Sequence, residues 1–350
     1  MILRHSSERS SGKIFLELPV AIRRTSSKSP AEIAFQEGDV VAAGCLSCKD
    51  PRCISYATDD SNLKRLTDFA SNPNVDVCPT SALNFKPGAM VPSIEDELCV
   101  SCGLCLVRCP VGAIYNDRDT ILVAPPDGFV EEKVREVALE SISSDTFNQS
   151  LTDIQTTEAI SFSVKDSHAL TVVNAAKKLP QMTQNSFVQS ILTAMGAKVN
   201  LSRKGDVHTR LDGVYEIDNE IIGPIEIESG ADSLEAARAI LDDISVLHNR
   251  YGIPINKQTP LVVFFELPTR RQGYWQLVAD IRDTLGIQVR TVSLGALLLM
   301  LWTGQMLDKS ILDKLVPAFG AISIRSAVEE AISRKVSLDI GQGGILEPLK

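Results

Sequence analysis

The chain has 350 residues, 44% of them hydrophobic and 23% charged, with a formal net charge of −9. That is enough for two domains of ordinary globular composition, and the charge balance does not by itself announce a nucleic-acid binder, although basic residues can still cluster locally. The longest apolar run, residues 294–302, is too short to cross a bilayer, and residues 1–7 hold no apolar stretch of signal-peptide length, so no membrane partner is expected.

In chain order, residues 1–37 read as a weakly patterned extension, with a strand over residues 13–18 and a loop over residues 23–30. Residues 38–126 hold all eight cysteines, so none is left over for a catalytic thiol. Their Gly, Pro and Ser content predicts a domain with little regular structure, in which metal–sulfur bonds replace much of an apolar core. Residues 121–124 read as its closing strand, and Pro125-Pro126-Asp127-Gly128 ends it. Residues 127–180 read as a helical connector. Val130, Val134 and Leu139 lie at near-helical spacing, and Ala169, Val172, Val173, Ala176 and Leu179 form a clearer stripe closed by Pro180.

Residues 181–350 alternate between the two periodicities. Helices are expected over residues 185–195, 233–251, 275–285 and 294–300, with strands over residues 210–217, 224–229, 260–267 and 288–292. A mixed sheet flanked by helices is the packing this order favours. The tail is expected to be helical over residues 326–335 and flexible at Gly341-Gln342-Gly343-Gly344. His168 and His248 read as ordinary surface or helix residues.

Cys99 to Pro110 reads C-x2-C-x2-C-x3-C-P, and Cys45, Cys48 and Cys53 form C-x2-C-x4-C, followed later by Cys78-Pro79. The residues after each Cys-Pro repeat one another: Thr80-Ser81-Ala82-Leu83 echoes Val111-Gly112-Ala113-Ile114. Cys-x2-Cys pairs also bind zinc, but zinc needs no third cysteine two residues further on and no Cys-Pro. These runs resemble the bacterial-type two-[4Fe–4S] ferredoxins. The resemblance implies an α+β, ferredoxin-like two-cluster domain with crosswise ligation. Cys99, Cys102, Cys105 and Cys78 would hold one cluster, and Cys45, Cys48, Cys53 and Cys109 the other. The first half departs from that family by two extra residues before Cys53 and by the insert over residues 54–77. Oxygen-sensitive clusters imply a reducing cytoplasm.

In the second domain, Glu226 and Glu228 stand at i and i+2 of a strand and so share a face, with Asp212 on the paired strand within reach. Three converging carboxylates suit a hard cation such as Mg2+. The order helix, strand, strand, helix, strand, with Asp212 and Glu226-Ile227-Glu228, resembles the PD-(D/E)xK nucleases, a restriction-endonuclease-like α/β fold. The resemblance implies that Asp212 and Glu226 ligate Mg2+ and that Glu228 stands where most of the family has Lys. An acid on the preceding helix is missing; Gln184 and Gln189 are its polar residues near that face. Lys198, Arg203, Lys204, His208 and Arg210 form a basic cluster for DNA phosphates.

Two functions are therefore expected in competition. One is an iron–sulfur DNA endonuclease. The other is an electron-transfer or redox-sensing protein with a redox partner, whose second domain is a non-catalytic binding module. No G-x-G-x-x-G opens a helix after a strand and no Walker-type loop is found, so an oxidoreductase would need an external donor and acceptor. Oligomeric state is not legible.

Overall fold

A computed structural model describes residues 2–5, 14–17, 45, 53–57, 74–86, 91–109, 113–117, 120–123, 166–202, 211–218, 220–230, 233–271, 273–317 and 322–349. Residues 58–73 of insert 54–77, the first part of the connector and the basic residues Arg203, Lys204, His208 and Arg210 thus fall outside the described residues, as does Cys48. The chain divides into two units, residues 1–57, 74–168 and 302–304 in one, and residues 58–73, 169–301 and 305–350 in the other.

The first unit is built of short hairpins. β1 (Ile2–His5) pairs with β2 (Ile14–Glu17), β3 (Ser55–Ala57) with β4 (Asn74–Asp76), β5 (Leu83–Asn84) with β6 (Ser93–Ile94), and, beyond the five-residue helix α1 (Leu104–Arg108), β7 (Ile114–Asp117) with β8 (Thr120–Val123), all antiparallel. Its described apolar core is small. Val77, Ala82, Leu104, Leu106, Ala113, Ile114 and Ile121 are buried. Elements this short leave most of the ordering entropy to be offset by something other than burial, in keeping with the low regular-structure content expected from composition.

The second unit is a mixed five-stranded sheet flanked by helices. In chain order it runs α2 (His168–Ala176, with His168 itself grouped in the first unit), α3 (Gln181–Ala194), β9 (Lys198–Leu201), β10 (Gly213–Ile217), β11 (Ile221–Glu228), α4 (Ser233–Tyr251), β12 (Leu261–Phe264), α5 (Tyr274–Leu285), β13 (Arg290–Ser293), α6 (Leu294–Trp302, with Trp302 itself grouped in the first unit), α7 (Lys309–Lys314) and α8 (Arg325–Ala331). The strand order is β13-β12-β11-β10-β9. β9, β10 and β11 pair antiparallel, whereas β11, β12 and β13 pair parallel, each parallel step crossing over through a helix. The parallel half is covered on both faces, so Leu261, Val262, Val263 and Phe264 are all buried and β12 reads as one apolar run.

Several expectations shift in detail. The amphipathic helix falls on Ser233–Tyr251 as its stripe predicts, with Ala236, Ala237, Ile240, Ile244 and Leu247 buried. β9 is a strand that the half-polar run Lys198-Val199-Asn200-Leu201 did not suggest, and β10 starts three residues later than expected. The glycines of the tail are not loose. Gly344 accepts the Leu267 N–H at 2.8 Å, a Cβ on Gly343 would lie 2.1 Å from Leu170 Cδ2, and Ile345 and Leu346 are buried. Arg325 anchors the same segment. It grips both carboxylate oxygens of buried Glu347 and donates to the carbonyls of Val336 at 3.1 Å and Leu338 at 2.9 Å. A guanidinium with this many fixed acceptors holds the turn in place without any regular element.

Gly223, opposite Tyr215 in the hairpin, is required by close approach rather than by backbone conformation. The Thr259 carbonyl passes over it so that a Cβ would lie 2.0 Å from Thr259 O. The same carbonyl accepts the Tyr215 hydroxyl at 2.7 Å, and the Thr259 N–H donates to Ile222 O at 2.9 Å. Gly223→Ala is expected to push this backbone off β11 and destabilise the second unit by about 3 kcal/mol, the upper range for overpacking, readable as a lowered urea midpoint.

Candidate functional site

In the first unit, Cys78, Cys99, Cys102 and Cys105 line one pocket together with Gly103 and Leu104. The turn over residues 99–105 supplies three of the sulfurs, and the turn before β5 brings the fourth from far along the chain. All four are free thiols. Donors surround the sulfurs. The N–H of Ser101 reaches the Cys99 sulfur, the N–H groups of Cys102 and Leu104 reach that of Cys102, and Thr80 Oγ1 lies 3.5 Å from that of Cys78. Cys109 is buried at the C-terminal end of α1 and its sulfur accepts the Ala113 N–H at 3.2 Å.

Burial pushes the thiols of Cys99, Cys102 and Cys105 up, and their mutual proximity, with Cys78 near each, pushes in the same direction. Cys53 adds to the effect on Cys105. Thiols gathered in this way are costly to ionise together. A cationic iron centre would offset that cost, and binding would release their protons. The donor set therefore fits an iron–sulfur cluster: four sulfurs with N–H groups aimed at them. Among the described residues no three His, Cys, Asp or Glu side chains close around a single ion.

In the second unit the strands bring acids together. Gly213 is opposite Ile225, so Asp212 stands beside Glu226 where β10 ends against β11. The Ile227 N–H donates to the Asp212 carboxylate, which lowers a pKa that burial raises further. Glu226 is pushed up to about 9, first by burial, then by the charges of Asp212, Asp243 and Glu228. Asp243 was not anticipated. It lies on α4, three residues after Ile240 and four before Leu247, within the buried stripe, and is 3% exposed. A carboxylate on the apolar face of an amphipathic helix is the signal that could have found it. Val246 and Leu247 of α4 pack with Leu211 and Val214, residues that flank Asp212 and Gly213, and Asp243 of the same helix acts on Glu226.

One oxygen of Glu228, Oε1, accepts the N–H of Gly230 in the loop leading to α4. Gln184 donates to the Ala176 and Lys177 carbonyls, and Gln189 to Val199 O at 2.8 Å, so both serve the backbone.

Residues 69–119 match a family described as the LdpA Fe-S cluster-binding domain. The chain is 40% identical over 81 residues to the uncharacterized ferredoxin MJ0155 of Methanocaldococcus jannaschii, and 44% identical over 48 residues to the uncharacterized ferredoxin MJ0265 of the same organism. These matches cover 20% and 14% of this chain, and the chain spans about half (51%) of the first relative and 28% of the second. No solved structure matches. Among the described residues no helix is long and apolar enough to cross a membrane. With four cysteines around one pocket and two ferredoxins among its relatives, this chain carries an iron–sulfur cluster-binding, ferredoxin-like domain.

Proposed function

We propose that the chain binds two [4Fe–4S] clusters and carries a divalent-metal-dependent DNA endonuclease in its second unit, acting in a reducing cytoplasm. Cys78, Cys99, Cys102 and Cys105 hold one cluster, and Cys45, Cys48, Cys53 and Cys109 the other. The observation that carries the nuclease reading is the half-buried pairing of Asp212, just before β10, with Glu226 on β11, backed by buried Asp243, in a sheet whose strand order and helix placement suit a restriction-endonuclease-like core. Like charges are not buried together without cost, and a hard dication is what such a group of carboxylates accommodates.

Asp212 and Glu226 hold Mg2+, with Asp212 fixed by the Ile227 N–H. When bound, the ion lowers the pKa of a water and offsets charge on the leaving oxygen of a phosphodiester. Glu228 takes the proton of the attacking water once its side chain leaves the Gly230 N–H. Arg203, Lys204, His208 and Arg210 meet the DNA phosphates. Holo-protein purified without oxygen is expected to cut plasmid DNA with Mg2+ or Mn2+ and to be inert with chelator, and Glu226→Ala is expected to remove all cutting. An uncut substrate with the wild type, or full activity in that variant, overturns the assignment.

One observation favours a second reading, an electron carrier or redox sensor whose second unit only binds a redox partner. One oxygen of the Glu228 carboxylate is engaged by the Gly230 N–H. This reading is met by reversible one-electron reduction of both clusters together with no metal-dependent hydrolysis.

A further inference from the structure

Two buried rings of the first unit reach the turn that carries the clustered cysteines. His168 Nε2 lies 2.9 Å from the Ser101 carbonyl oxygen, and because a carbonyl only accepts, that nitrogen carries the proton. Trp302 Nε1 donates to the Cys102 carbonyl oxygen at 2.9 Å. The rings lie 5.5 Å apart, and the residues are 4% and 7% exposed.

The two carbonyls belong to consecutive peptide units, and the residues around them are in the left-handed region, Ser101 at φ 52° and Gly103 at φ 75°. For a serine that conformation costs about 1–2 kcal/mol, so something must hold it. A peptide unit is planar and trans, so its C=O and N–H point in opposite directions. Fixing the Ser101 carbonyl on His168 aims the Cys102 N–H the other way, and the Cys102 sulfur receives it. Fixing the Cys102 carbonyl on Trp302 likewise aims the Gly103 N–H away from the indole, and Gly103 lines the four-cysteine pocket. Successive N–H groups turned into one concavity stabilise negative charge there.

The geometry points to His168 and Trp302 as positioning residues that hold the Ser101-Cys102-Gly103 turn with its N–H groups directed at the cluster site, so that they raise the reduction potential of the cluster held there and slow its loss. Reduction adds negative charge, and N–H dipoles aimed at the sulfurs favour it. The inference rests on the reading that Cys78, Cys99, Cys102 and Cys105 ligate one cluster.

The test uses the full-length holo-protein under anaerobic conditions, with a redox titration followed by the spectra of both clusters. Trp302→Phe keeps the ring and removes the donor. His168→Phe does the same on the other side, and His168→Gln keeps an N–H near the same place. Trp302→Phe and His168→Phe are each expected to lower one of the two midpoints by roughly a tenfold change in the one-electron equilibrium, about 59 mV. The other midpoint stays in place, the affected cluster is lost faster to chelator, and His168→Gln recovers most of the wild-type midpoint. Unmoved midpoints, equal shifts in both clusters, or no recovery in His168→Gln overturn it. Wild-type protein that holds no cluster on these four cysteines removes the underlying reading and this inference with it; intact clusters with unmoved midpoints remove this inference alone. If Trp302→Phe does not fold, the two His168 variants carry the test.

Discussion

Cys102→Ala is expected to cut the iron and acid-labile sulfide content of anaerobically purified protein by about half, and Cys78→Ala to give the same result although the two positions lie far apart in sequence. Both sulfurs face one pocket, so either loss leaves an incomplete ligand set there. Cys109→Ala is expected to lose the other half. Cys109 is buried at the C-terminal end of the five-residue helix that contains Cys105, where the Ala113 N–H meets its sulfur. The double variant Cys78→Ala/Cys102→Ala would then be no worse in iron content than either single one, whereas Cys78→Ala/Cys109→Ala would hold none. This pattern separates crosswise ligation from a sequential one, in which Cys78 would go with Cys45, Cys48 and Cys53. Iron analysis with a spectrum of the reduced protein reads it directly. Full iron in Cys78→Ala, or loss of the same cluster in the Cys102 and Cys109 variants, would rule out the crosswise pairing. Stability should follow the same order, since binding energy at such sites is also folding energy.

Glu226→Gln is expected to make the metal-free protein more stable while abolishing any Mg2+-dependent cleavage. The sign follows from the carboxyl being pushed up to about 9 from an ordinary 4.5, chiefly by burial and by Asp212. Below the unfolded value both states hold the proton and Glu226 contributes no pH dependence. Between the two values the unfolded chain ionises while the folded one stays protonated, so stability falls by up to about 1.4 kcal/mol per pH unit until the folded group also ionises. At neutral pH the amide removes a penalty of roughly 1–3 kcal/mol, worth a few degrees in Tm for a unit of this size. Thermal melts at about pH 5.5 and pH 8.5 should show the gap between wild type and variant widening with pH. Millimolar Mg2+ should close the gap by stabilising only the wild type, as a ligand bound to the native state does. A variant less stable than wild type at the higher pH, or one stabilised equally by Mg2+, would show that the Glu226 carboxylate is neither strained nor a ligand. A residue that weakens the fold and serves the chemistry is a common compromise at active sites.

How much of this was legible beforehand depended on how local each cause is. The cysteine runs are legible because cluster ligation sets spacings of two and three residues along the chain, and no tertiary knowledge is needed to see them. The helix at Ser233–Tyr251 is legible because its stripe repeats over five turns. β9 is not, since four residues with one buried side chain carry too little periodicity to stand out. The glycines near the carboxyl end read as a flexible tail because their composition is that of one. Their order comes from Arg325 gripping Glu347 and from Gly344 meeting Leu267, partners that the sequence keeps 22 and 77 residues away.

From the residues alone follow the iron–sulfur chemistry, the mixed sheet with helices about it, and the pairing of acids on neighbouring strands, because each is written in a short-range spacing or a repeated period. The folded chain alone decides which acid joins from α4, why Gly223 tolerates no side chain, and that His168 and Trp302 close on the Ser101–Cys102 turn. Those facts depend on how close segments distant in sequence come to one another, and a hydrogen bond or a steric contact is settled over a few tenths of an ångström, a scale that no pattern of residue types encodes.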